Sequence, residues 1–151
     1  MANAILWQAA WTTTGAGTVL STELNSITTG NRSNAGTEID NSSACNQYAC
    51  FELYFASFTP TGSPYVTLYM LPNPDCGGTN YAEGSSSVDP GNDRIIAIIP
   101  LRAATSTFRK VTGVVPIPPC KLKFILANAT GATLASSGNT VVMYVGNDEV
   151  Q

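Results

Sequence analysis

The side chains able to do covalent or metal chemistry are few. The 151 residues contain four cysteines and ten acidic residues, and histidine is absent. Nucleophilic catalysis usually needs a base beside the nucleophile, and no imidazole is present to serve. Serine is plentiful, but no Gly-x-Ser-x-Gly elbow occurs. Glycoside hydrolysis needs two facing carboxylates. Glu52 could meet Asp75, Asp89 or Asp93, yet no spacing favours such a pair. Asp75, Glu83, Asp89 and Asp93 share a Gly- and Asn-rich loop over residues 72–93, where oxygen ligands could hold calcium. Their spacing does not match the EF-hand loop, and no phosphate-binding glycine loop is present. Cys45, Cys50, Cys76 and Cys120 form no Cys-x-x-Cys pair, so a zinc site would have to gather them from scattered loops. In an oxidising medium Cys45 with Cys50, or Cys76 with Cys120, could form disulfides; free thiols are the cytosolic default. The expectation is no catalytic residue, no cofactor and no metal.

The elements that position these residues follow a period of two. Phe51, Leu53 and Phe55 alternate with Glu52 and Tyr54. Val66, Leu68 and Met70 alternate with Tyr65, Thr67 and Tyr69. Leu122, Phe124 and Leu126 alternate with Lys121 and Lys123, and Val141, Met143 and Val145 with Val142 and Tyr144. Such alternation places one set on a core face and the other outside. A further strand runs through 105–115. The Thr-Pro-Thr-Gly-Ser-Pro stretch at 59–64 predicts a longer hairpin loop joining the 48–58 and 65–71 strands. Residues 37–39 read as a short strand. Residues 19–27 read as the one helix-like segment, with Ser21 as cap and Leu20, Leu24 and Ile27 on one side; a strand is the close rival.

About eight short strands with at most one short helix predict an all-β, Greek-key or jelly-roll sandwich. Residues 1–151 form one domain, in which 1–14 are a first strand or an N-terminal docking arm. The run Ile95, Ile96, Ala97, Ile98, Ile99 is apolar on both faces, which predicts a strand covered by a second sheet and by a partner or arm. Trp7 and Trp11 are the candidate anchors of the arm. The candidate interface is therefore Trp7, Trp11, Ile95, Ile96, Ile98 and Ile99. Tyr54, Tyr65 and Tyr69 form a candidate aromatic face for a glycan.

Charge excludes other classes. Only 11% of residues are charged, against about 25% in typical domains. Few charges need desolvating when such surfaces meet. A net charge of −3 with no basic block argues against nucleic-acid binding. No stretch reaches the roughly 18 apolar residues of a membrane span. The first residues lack the basic and long apolar regions of a secretory signal, so synthesis in a cytoplasm is expected.

Several stretches carry a resemblance: Trp7-Gln8-Ala9-Ala10-Trp11-Thr12-Thr13, Thr61-Gly62-Ser63-Pro64-Tyr65-Val66, Gly78-Thr79-Asn80-Tyr81, Pro100-Leu101-Arg102-Ala103-Ala104-Thr105 and Pro118-Pro119-Cys120-Lys121-Leu122-Lys123-Phe124. With these the chain resembles small virion proteins of tailed bacteriophages. The resemblance implies a jelly-roll-like structural protein of the capsid cement or decoration type, located in the virion. Its partners would be the major capsid protein and itself, as a homodimer or homotrimer. The alternative is a tail- or vertex-associated module that recognises a host surface glycan. The cysteines have no counterpart in the resemblance.

Overall fold

The computed structural model describes residues 5–7, 12–75 and 78–150; for 5–7, 12–16 and 148–150 it describes the backbone alone. The strands are β1 (Ile5–Trp7), β2 (Thr12–Leu20), β3 (Ile39–Asp40), β4 (Tyr48–Phe58), β5 (Tyr65–Asn73), β6 (Ile95–Pro100), β7 (Ser106–Val111), β8 (Val115–Pro116), β9 (Lys121–Ala129), β10 (Thr140–Gly146) and β11 (Asp148–Val150). Eight of them build two antiparallel sheets, ordered β2-β10-β4-β7 and β3-β9-β5-β6. The short β8 continues the β7 side of β4, and β1 pairs with β11 as a two-stranded ribbon.

Among the eight, the first strand pairs with the last, the second with the seventh, the third with the sixth and the fourth with the fifth. This nested wrap is a jelly roll, as the turn-punctuated all-β pattern predicts. Of the links between consecutive sandwich strands, only β5 to β6 stays within one sheet.

The alternating residues meet between the sheets. Phe51, Leu53, Phe55, Val141, Met143 and Val145 line one inner face, with Val66, Leu68, Leu122, Phe124 and Leu126 opposite; all are fully buried. Phe51 of β4 and Phe124 of β9 touch across the core with ring centroids 5.1 Å apart and planes inclined by 60°, a favourable tilted geometry.

Two expectations are corrected. The predicted hairpin of 48–58 with 65–71 does not form: β4 pairs with β10 and β7, and β5 with β9 and β6. The 59–64 link is an arch between sheets, and the turn residues that permit a hairpin permit the arch equally. The helix at 19–27 is absent. Val19 and Leu20 end β2, where Leu20 lies opposite Val141, and only a 3-10 turn follows at Thr22–Leu24. A short segment holding Ser21, Thr22, Asn25 and Ser26 nucleates a helix poorly, whereas the β10 ladder supplies backbone partners at its start. Within the chain the Ile95–Ile99 run packs Ile96 and Ile99 on the core and leaves Ile98, 60% exposed on the edge strand β6, open to the partner or arm expected there.

The core and edge should respond differently to truncation. Phe124→Ala should cost about 3–5 kcal/mol, as for large aromatic deletions in closed cores. Ile98→Ser should change the stability of the isolated chain by less than about 1 kcal/mol. Urea unfolding of both variants tests this, and equal losses would mean that Ile98 is buried in solution.

Candidate interaction surface

Glu52, Asp75, Asp89 and Asp93 are engaged by ion pairs and turn hydrogen bonds. Glu52, on the outer face of the β4 sheet, accepts from Arg109 at 2.7 Å. Asp75 accepts from Gly78 N–H at 3.0 Å and from the Asn80 amide at 3.2 Å. Asp89 pairs with Arg32 and accepts from Gly91 N–H at 2.9 Å, and Asp93 lies 3.2 Å from Arg94. The loop acids sit over the other sheet, so the structure does not bring Glu52 together with Asp75, Asp89 or Asp93. Among the described residues no three acidic or cysteine side chains gather where a metal could bind. Cys45 is an exposed free thiol and Cys50 a half-buried one, so the pair forms no disulfide here. Burial pushes the Cys50 thiol above its ordinary value. Cys76 lies outside the described residues.

Residues 78–94 form a strap across the outer face of the β5–β9 sheet. Beneath it Tyr69, Leu71 and Ile125 are buried, packed by Ala35, Ala82 and Ile95. Ala82 N–H donates to the Pro72 carbonyl at 3.0 Å. The Tyr81 hydroxyl donates to Glu38, which Lys121 also approaches at 3.0 Å. The Lys123 ammonium lies 4.3 Å from the centroid of the Tyr81 ring, within cation–π reach. Desolvation, then the hydrogen bond to Glu38, raises the Tyr81 phenol from its ordinary 10.0 to about 12. The Tyr81 hydrogen bond, followed by Lys121, holds the Glu38 carboxyl below its ordinary value. The alternation over 121–126 puts Lys121 and Lys123 outside but does not name Tyr81 or Glu38 as their partners.

The tyrosines do not form one face. Tyr54 projects from the β4 sheet, while Tyr65 and Tyr69 project from the opposite outer face of the sandwich. Tyr69 is buried under the strap; Tyr54 and Tyr65 remain exposed.

The open apolar surface lies where edges β6 and β7 run side by side. A groove of about 380 Å³ between them is lined by Ile96, Ile99, Lys110, Val111, Val114 and Val115. A shallower hollow of about 550 Å³ adjoins it, lined by Tyr65, Pro100, Leu101 and Ala103, and Ile98 borders both. Ile98, Val111 and Val114 are each more than half exposed. Exposed apolar side chains gather here beside a groove lined by polar and apolar atoms in about equal share, which makes this edge the candidate contact surface. The candidate isoleucines are thus divided. Ile96 and Ile99 pack on the main core, Ile95 packs under the strap, and Ile98 faces out. Val111 and Val114 join Ile98 although their own stretch read as an ordinary strand. Trp7 lies in β1, of which the backbone alone is described, and Trp11 lies outside the described residues.

No protein-family model matches the chain, and no curated protein matches it. No helix among the described residues is long and apolar enough to cross a membrane.

The strap should titrate at both ends of the pH scale. The fold raises the Tyr81 pKa, so its contribution is intact below pH 10.0 and is lost as pH rises through about 12. The fold lowers the Glu38 pKa, so its contribution is present above 4.5 and is lost as pH falls through the lower folded value. Phenolate absorbance should show a late-titrating tyrosine that disappears in Tyr81→Phe. The same variant should move Glu38 back toward its ordinary value by NMR. A Glu38 titration unaffected by the substitution would break the assigned coupling.

Proposed function

We propose that this chain is a structural protein of a bacteriophage virion, of the type that decorates and cements the outer capsid shell. The observation that carries the reading is the open β6–β7 edge. The jelly roll presents Ile98, Val111, Val114 and Tyr65 to solvent, beside a groove that also offers polar groups such as Lys110. The weakly charged surface supports it, because little desolvation opposes packing against a shell. The resemblance to small tailed-phage virion proteins supplies the setting. Jelly rolls also serve as lectin and cupin domains, and a fold alone does not choose among these functions. The carboxylates held in local ion pairs and turns fit a non-catalytic role.

The alternative, a tail or vertex module that binds host glycan, rests on Tyr65 at the rim of its hollow. That hollow is lined mainly by apolar side chains, whereas a sugar site needs convergent polar groups beside its stacking ring.

Quantitative mass spectrometry of purified virions separates the readings. Decoration requires a copy number comparable to that of the major shell protein. A few per cent of that number would move the chain to a tail or vertex, and its absence from virions would end both readings. Deleting residues 1–11 should abolish binding to capsids while the sandwich remains folded by circular dichroism. Unchanged binding would remove the arm from the interface.

A further inference from the structure

The outer face of the β2-β10-β4-β7 sheet carries aromatic rings on both sides of an ion pair. Phe51, Leu53 and Phe55 of β4 point into the core, so Tyr48, Glu52 and Tyr54 point out. The register adds Arg109 of β7 opposite Tyr54, Val142 of β10 opposite Glu52, and Tyr144 opposite Cys50. Arg109 donates to Glu52 at 2.7 Å, and its guanidinium is within electrostatic reach of Tyr144. Tyr54 is exposed, Tyr48 and Tyr144 are half-buried, and 71% of the Arg109 side chain is open to solvent. At about 3.4 Å per residue, the Tyr54 and Tyr144 positions lie about 14 Å apart along the strands, with Tyr48 about 7 Å beyond. None of Tyr54, Tyr144, Glu52 and Arg109 lines the β6–β7 groove or its adjoining hollow.

This composition selects an occupant. The phenol rings offer apolar faces, while their hydroxyls, Glu52 and Arg109 offer acceptors and donors among them. A polyhydroxyl chain has the matching mixture: C–H faces that stack on rings, and hydroxyls that both donate and accept. An anionic ligand would meet an Arg109 already neutralised by Glu52. A single-stranded nucleic acid needs a positively charged groove, against a net charge of −3 here. A lipid surface would have to desolvate the Glu52–Arg109 pair. A peptide finds no ladder to join on a sheet face. At the neighbouring edges Pro100, the register shift between Leu68 and Tyr69, and Lys110 on the core-facing side of β7 oppose strand addition. We propose that the outer face of this sheet binds an extended neutral polysaccharide, with Tyr54 and Tyr144 stacking on sugar rings and Glu52 and Arg109 holding hydroxyls between them. The polar groups stand beside the rings, as a sugar site requires. The face is separate from the β6–β7 edge and is tested on the isolated chain, so its failure is distinguishable from failure of the decoration reading.

Affinity electrophoresis of the full chain tests it, in native gels containing dextran, laminarin or galactomannan, with alginate and single-stranded poly(dT) as charged comparisons. At least one neutral polymer should retard the wild type, and alginate and poly(dT) should not. Tyr54→Ala, Tyr144→Ala and Arg109→Ala should each weaken the interaction by roughly two- to tenfold. Tyr54→Phe, which keeps the ring, should weaken it less. Tyr65→Ala, on the opposite side of the sandwich, should leave it unchanged. If circular dichroism shows an alanine variant unfolded, the wild type answers alone. The retarding polymer should then shift the ring-proton NMR signals of Tyr54 and Tyr144 and leave those of Tyr65 in place. Retardation by none of the neutral polymers, equal retardation by the charged ones, or binding that Tyr65→Ala removes and the face variants spare would each overturn the proposal.

Discussion

The fold depends on the seam between β9 and β4, where Phe124 and Phe51 meet across two sheets. Each of these strands is flanked on both sides: β9 by β5 and β3, β4 by β10 and β7. The longest registers, nine residue pairs between β5 and β9 and seven between β4 and β10, lie on either side of that seam. Every other strand of the two sheets attaches to one of these four. The core is therefore built from contacts distant in sequence, and folding must close long loops before the seam forms.

That topology creates a second requirement. Nearly every connection crosses from one sheet to the other, and at the β3–β4 and β9–β10 crossings polar groups are buried beside the departing backbone. Asparagine fills the gap. Asn128, 1% exposed, donates to the carbonyls of Ile27 at 2.7 Å and Ala132 at 2.8 Å and accepts from Thr130 N–H at 3.0 Å. Asn41 donates to the carbonyls of Asn46 and Pro118, both at 2.9 Å, and Asn139 donates to Ala135 and accepts from Ala56 N–H. Among the described residues no buried side-chain polar atom lacks a partner. Asn41, Asn128 and Asn139 are thus internal pins of the jelly roll, because a buried amide must replace the water that the crossing backbone loses.

Legibility in the sequence divides along the same line. Alternation at 51–55, 66–70, 122–126 and 141–145 located strands and their inward faces, because side-chain direction along a strand is a local property. Partner choice is not local. Phe51 to Phe55 could pair with 65–71 or with 140–146, and only closure of the whole sandwich decides. The isoleucine run shows the limit most clearly. Its two apolar faces were plain, but a bulge divides the run among the core, the strap and solvent. The Glu38–Tyr81 contact joins residues 43 apart, and nothing in either neighbourhood points to the other. The groove was half legible: Ile98 stood out, while Val111, Val114 and Lys110 became part of it only when β7 came to lie beside β6.

The two sides of the sandwich are treated unequally. On the β2–β3 side the chain seals itself. Thr37 N–H donates to the Val19 carbonyl at 3.1 Å and Gly36 N–H to the Phe124 carbonyl at 3.0 Å. Gly36 packs so close that an added Cβ would lie 1.9 Å from the Val19 carbonyl oxygen, so no larger residue fits without moving β2. The β6–β7 side has no such closure, yet it carries a bulge, a proline and an inward lysine, devices that prevent indiscriminate strand pairing. An edge that needed only solubility would also be rid of exposed isoleucine and valine. Guarding the backbone while leaving the side chains apolar fits an edge that meets a chosen surface and refuses the general one.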